Sequence, residues 1–150
     1  MSVGAATIGE EMSEDRMAVY GHNAITVAQL VARHLSITHV FCEPNETERQ
    51  ALGLRVGGEM VEHAKAIAAR TAGDWIQVHK EEVRKQFSTR EAFWTERVAQ
   101  YDPEATSVVF ICGADHCATF PETLRQNGFE ATVHCPDWTL LSEIPCPCCL

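Results

Sequence analysis

The run Val108-Val109-Phe110-Ile111-Cys112 constrains this chain more than any other feature. Five successive apolar residues, β-branched and aromatic among them, read as a strand covered on both faces, the pattern of parallel sheets whose crossover helices lie above and below. Gly113-Ala114-Asp115-His116 follows at once, so this strand delivers a carboxylate and an imidazole into a loop held by the sheet. Ile37 to Cys42 reads as a second buried strand, closed by Glu43-Pro44 because proline cannot continue a ladder. The short apolar stretch Ala5 to Ile8 predicts a strand ahead of these, and Ala131 to Cys135 one behind.

Helical signals fill the gaps. Ser13 before Glu14 and Asp15 predicts a helix start, with acids at the positive end of the dipole. Ile25, Ala28, Val31, Ala32 and Leu35 fall three and four apart, which predicts a helix packing that stripe inward. Asn45 with Glu48 forms a capping box for a short helix stopping near Gly53, and Met60, Val61, Ala64, Ile67 and Ala68 mark a further helical stripe. Trp75 to Phe87 reads as a charged helix, Ser88 with Glu91 as a capping box opening the next, and Pro121 to Gln126 as a last helix closed by Gly128. Alternating strands and helices predict one α/β domain of three layers over residues 1–143, with a short, mostly parallel sheet of about four strands flanked by helices. Residues 144–150 read as a Cys/Pro-rich tail.

Composition narrows the partners. A length of 150 residues suits one core. A formal net charge of −9 repels phosphate backbones and anionic lipid, which argues against nucleic acid and against a membrane partner. No apolar run approaches the roughly 20 residues of a bilayer span, and Met1 to Ala6 lacks the basic flank and long apolar stretch of a secretory leader. Seven cysteines, an odd number, read as reduced thiols in a cytoplasmic protein. A small-molecule ligand and a homo-oligomer both fit this picture.

In open parallel sheets, ligands bind beyond the carboxyl ends of the strands. The residues expected there are Glu10 and Glu11, then Glu43, then Asp115 and His116, then Asp137. A histidine among carboxylates is what a general acid/base pair or a divalent metal site requires. Two readings of His116 stand side by side: a base projecting into the cleft, or a polar loop residue next to a capping Asp115. Only one of Glu10 and Glu11 can face the site, because neighbours on an extended segment point to opposite faces. Glu43, in a turn, reads as a surface acid unless His116 lies near it. Arg49 and Arg90 suit bidentate binding of a carboxylate or phosphate, and equally suit plain surface ion pairs. His39 reads as a satisfied core histidine, and Cys112 as strand core. The thiols of Cys146, Cys148 and Cys149 could hold zinc or copper(I), but their spacing lacks the usual two-residue gap and favours a loose tail.

The segments Ile8-Gly9-Glu10-Glu11-Met12-Ser13, His39 with Cys42-Glu43-Pro44-Asn45 and Glu48-Arg49, Arg90-Glu91 with Trp94, Cys112-Gly113-Ala114-Asp115-His116, and Asp137-Trp138 resemble an uncharacterised family of small bacterial proteins. More distantly, an arginine-led helix, a hydrophobic strand and Gly-Ala-x-His resemble the C-terminal half of the TraB, TIKI and erythromycin-esterase-like group. That resemblance implies a metal-assisted or general-base hydrolase, with Glu10 or Glu11 and His116 at the centre and Arg90 in support. The chain departs from that group at its front, where a strand leading to a histidine has no equivalent. The functional expectation is therefore a hydrolase-like enzyme built on His116, Glu10, Glu11 and Asp115, with Arg49, Arg90 and Glu43 binding substrate and a divalent metal as candidate cofactor. The alternative is a non-catalytic ligand-binding or regulatory domain.

Overall fold

The computed structural model describes residues 7–21, 23–101 and 107–134. Three strands, β1 (Thr7–Glu10), β2 (Thr38–Phe41) and β3 (Val108–Ile111), form a parallel sheet in the order β2-β1-β3. Between β1 and β2 lie α1 (Glu14–Val19) and α2 (Val27–Leu35); between β2 and β3 lie α3 (Glu46–Ala51), α4 (Gly57–Thr71), α5 (Trp75–Lys85) and α6 (Phe87–Tyr101). A 3-10 turn, Ala114–His116, and α7 (Phe120–Gln126) follow β3. The α/β architecture with helices flanking a parallel sheet is as the alternating pattern predicts. The strand count differs: among the described residues there are three, and 131–134 form no strand. Cys135, Asp137, Trp138 and the tail from 144 onward lie outside the described residues. Among the described residues no helix is long and apolar enough to cross a membrane.

Side chains alternate across the sheet, and a core cluster lies on each of its faces. On one face Ile8 packs with Ala28 and Ala32 of α2 and with Ile37. On the other, Val40 and Cys42 pack with Trp94 and Val98 of α6 and Phe120 of α7, and Val108, Phe110 and Cys112 close around them. Gly9 belongs to this second face. A Cβ there would sit 2.7 Å from Phe110 Cδ2 and 3.3 Å from Cys42 Sγ, and Phe110 cannot retreat because Trp94 and Phe120 hold its ring. Gly9→Ala is expected to lower stability by about 1–3 kcal/mol through overpacking, read as a lower urea midpoint at unchanged slope.

Three local expectations are corrected. Helix α2 turns only its small residues, Ala28 and Ala32, to the sheet, while Val31 and Leu35 stay exposed. Strand β3 is covered on one face among the described residues, since Val109 and Ile111 are about half exposed. Helix α6 starts at Phe87, so Ser88 and Glu91 lie inside it and form no capping box. It follows α5 after a single residue, and Gln86 O accepts from Arg90 N at 3.1 Å, so the first turn finds a backbone acceptor there. The expected box at α3 (Asn45 with Glu48) does form, and α2 carries one that the sequence reading did not name, Thr26 with Gln29.

Candidate functional site

The parallel register brings the three strand ends to one rim, because Glu10 lies opposite both Phe41 and Ile111. Sheet-like bonds continue past the strands: Glu11 N donates to Ile111 O at 2.9 Å, Cys42 N to Glu10 O at 2.9 Å, and Glu43 N to Met12 O at 3.1 Å. The chain passes from central β1 to β2 on one side and crosses back to β3 on the other. That reversal is the switch point where loops diverge and ligands bind in such sheets. Glu11 leaves one strand there, and His116 follows the other.

Helix α6 supplies the rest. Phe87 and Glu91, and likewise Arg90 and Trp94, are four apart and share a helical face. Arg90 is the hub. Its Nε donates to both Glu43 oxygens at 3.1 and 3.2 Å, its Nη2 to Glu43 Oε2 at 2.9 Å and to Glu11 Oε1, and its Nη1 lies 3.4 Å from His116 Nε2. The guanidinium carbon sits 5.1 Å from the Trp94 ring centre. Burial works against the charge of Arg90, but the bonds and charges of Glu43 and Glu11 outweigh it and raise its pKa. Trp94 Nε1 donates to Glu43 Oε2 at 2.9 Å, and Gly113 N to Glu11 Oε2 at 2.7 Å, so both carboxylates have donors besides the arginine.

Behind Arg90, Glu91 is buried and takes three donors: His116 Nδ1 at 2.8 Å, Thr119 Oγ1 at 2.5 Å and Thr123 Oγ1 at 3.1 Å. A carboxylate can only accept, so the network assigns the His116 proton to Nδ1 and leaves Nε2 as an acceptor. Nε2 is turned to the rim, 3.8 Å from Glu11 Oε1. The ring is clamped between Phe87, at 4.0 Å between ring centres, and Trp94, at 4.7 Å. Cys112, half-buried nearby, has its thiol pushed up to about 12 by burial and by the charge of Glu11, so it stays neutral near pH 7.

Of the expected residues, the fold brings Glu11, Glu43, Arg90 and His116 together. Glu10 points to the other face of the sheet, where it accepts from Thr26 Oγ1 at 2.8 Å and meets His39 Nε2 at 3.0 Å. Arg49 is used elsewhere: it donates to Pro44 O at 2.7 Å and pairs with Asp15 at 2.8 Å and Glu46 at 3.0 Å, holding the turn from β2 into α3. Asp115 is exposed, and no hydrogen bond or ion pair ties it to the others. Glu91, Thr119 and Thr123 are the residues missed as site members. The signal for Glu91 was available: Phe87, Arg90, Glu91 and Trp94 fall at i, i+3, i+4 and i+7, a charged pair set within an apolar stripe.

These residues do not fit a divalent metal. Among the described residues no group of three His, Cys, Asp or Glu side chains is placed to hold one. Glu11, Glu43 and His116 do converge, but on the guanidinium of Arg90, which already supplies the positive charge between them. Beside the cluster a cleft of about 390 Å³ opens where β2 runs into α3, walled by Glu14, Asp15, Glu43, Glu46, Glu48 and Arg97 among others. Glu43 is common to cleft and cluster. Compared with known protein families, curated proteins and solved structures, the chain matches none.

Proposed function

We propose that this domain is a hydrolase-like enzyme that works by general base catalysis at His116, without a metal in the step. The observation that carries this reading is the 2.8 Å bond from His116 Nδ1 to the buried Glu91 carboxylate, which orients the ring with Nε2 toward the switch-point rim. Nε2 would take a proton from water as the water oxygen attacks a carbonyl carbon. The same proton would then pass from Nε2 to the leaving alcohol or amine, so that ester or amide and water become acid and alcohol or amine. Arg90 Nη1, the nitrogen of the guanidinium that pairs with neither Glu11 nor Glu43, would donate to the developing oxyanion. Carboxylates dominate the adjacent cleft wall, which favours neutral or cationic substrates over phosphates and other anions. The relationship to the TraB, TIKI and erythromycin-esterase-like group belongs to the same proposal.

The test is hydrolysis of a panel of neutral chromogenic esters and amides between pH 5 and 9. His116→Ala is expected to lower the rate about 10²–10⁴-fold, and Glu91→Gln to lower kcat with little change in KM, both with native circular dichroism. Chelator is expected to have no effect. Rates equal to wild type in His116→Ala would end the catalytic reading. A second reading, a non-catalytic ligand-binding domain, draws on the closure of Arg90 over a His116 side chain that is only 3% exposed. It predicts a retained small molecule in native mass spectrometry and no hydrolysis of any panel member.

A further inference from the structure

Helix α7 begins on a residue that does not cap it. Thr119 holds the N-cap position, where a threonine hydroxyl ordinarily accepts from a backbone N–H of the first turn, yet its side chain makes no such bond and its backbone is helical, not extended. Its Oγ1 donates instead to Glu91 Oε1 of α6 at 2.5 Å, the same oxygen that receives His116 Nδ1 at 2.8 Å. Thr123, one turn on, reaches the other oxygen, Oε2, at 3.1 Å. It also lies 3.3 Å from Thr119 O, the usual back-bond of a helical threonine, so its single proton is shared. Thr119 is the hydroxyl committed to the carboxylate. The residue as a whole is exposed, so burial of its side chain does not account for that orientation.

We propose that Thr119 is a positioning residue for His116: by donating to Oε1 it keeps Glu91 an acceptor, and so fixes the imidazole proton on Nδ1 and the lone pair on Nε2. The inference rests on the reading of His116 as general base. Glu91 is 1% exposed, and burial favours the neutral form of a carboxyl group unless donors hold its charge. A protonated Glu91 would donate to Nδ1 and move the ring proton to Nε2, where no base would remain. The other charged groups against the ring, Arg90 and Glu11, both face Nε2, so neither replaces a donor at Oε1. Glu43 reaches the ring only through Arg90. Arg90 Nη1, 3.4 Å from Nε2, disfavours a proton there, so loss of the Thr119 hydroxyl is expected to mix the two tautomers and not to exchange them.

The experiment compares Thr119→Val, which keeps the shape and removes the hydroxyl, with Thr119→Ser, which keeps the hydroxyl. Proton–nitrogen correlation NMR of the full chain, with the His116 signals assigned by their loss in His116→Ala, reads which nitrogen of the neutral ring carries the proton. The ester panel reads kcat and KM. Wild type and Thr119→Ser are expected to hold the Nδ1–H tautomer. Thr119→Val is expected to populate the Nε2–H form and to lower kcat about 10–100-fold at unchanged KM, the effect of one hydrogen bond to a charged group, with native circular dichroism. A Thr119→Val protein with the wild-type tautomer overturns the proposal, whatever its rate. So does an equal change in Thr119→Ser. The tautomer comparison needs no turnover: if His116→Ala hydrolyses the panel as fast as wild type while Thr119→Val still shifts the proton, the general-base reading fails and the positioning of the ring by Thr119 stands.

Discussion

Arg90→Met is expected to cost about 3–5 kcal/mol of folding stability, the range for removing one partner of a buried ion pair. Methionine keeps much of the volume, so the loss isolates charge and hydrogen bonding. Glu43, with its side chain 3% exposed, would keep Trp94 Nε1 as its donor but lose its counter-charge, and Glu11 would keep only the Gly113 amide. Glu11 is one-fifth exposed and can be partly rehydrated, which places the expected loss toward the lower end. Urea unfolding of wild type and variant checks this, and a loss below about 1 kcal/mol would show that the ion pairs contribute no more than surface pairs do. Arg90→Lys should recover only part of the loss, because an ammonium cannot bridge two carboxylates through a planar fork.

Trp94→Ala is expected to cost about 3–5 kcal/mol as well, by a different mechanism. The indole is fully buried and lies 5.3 Å from the Phe110 ring centre, 5.2 Å from Phe120 and 4.7 Å from His116. Its removal opens a cavity where strand, helix and site meet, and frees one wall of the His116 clamp. Trp94→Phe keeps most of the area and loses only the Nε1 donor to Glu43, a change of about 1 kcal/mol. The ratio of the two losses, read from denaturant midpoints, separates packing from hydrogen bonding. Near-equal losses would mean that the bond to Glu43 outweighs the ring.

Much of this arrangement was legible in the linear order of residues. Apolar runs ending in Glu11, Glu43 and His116 follow from the rule that parallel strands deliver their next residues to one rim, and that rule needs only strand positions. It could not separate Glu10 from Glu11, because a period of two puts one of them on the wrong face and the sequence does not say which. Gly9 decides it: the face that accepts the Phe110 ring must lack a side chain at position 9, and Glu11 shares that face. Arg49 and Arg90 look alike in sequence, each on a charged helix, yet one closes a turn and the other sits at the centre of three polar side chains. Glu91 was read as a cap because Ser-x-x-Glu is a strong local pattern. The local pattern lost to tertiary context once α5 ran almost directly into α6 and removed the need for a cap.

The order of apolar and polar residues by itself determined the class of fold and the rim to which the acids and His116 are carried, since these depend on periodicity and strand order. Only the tertiary structure decided that the positive charge among those acids is a guanidinium, that Glu91 holds the His116 ring, and that Val109 and Ile111 are about half exposed among the described residues. Each of those depends on which helix lies over which strand, a question of long-range packing to which short-range spacing is blind.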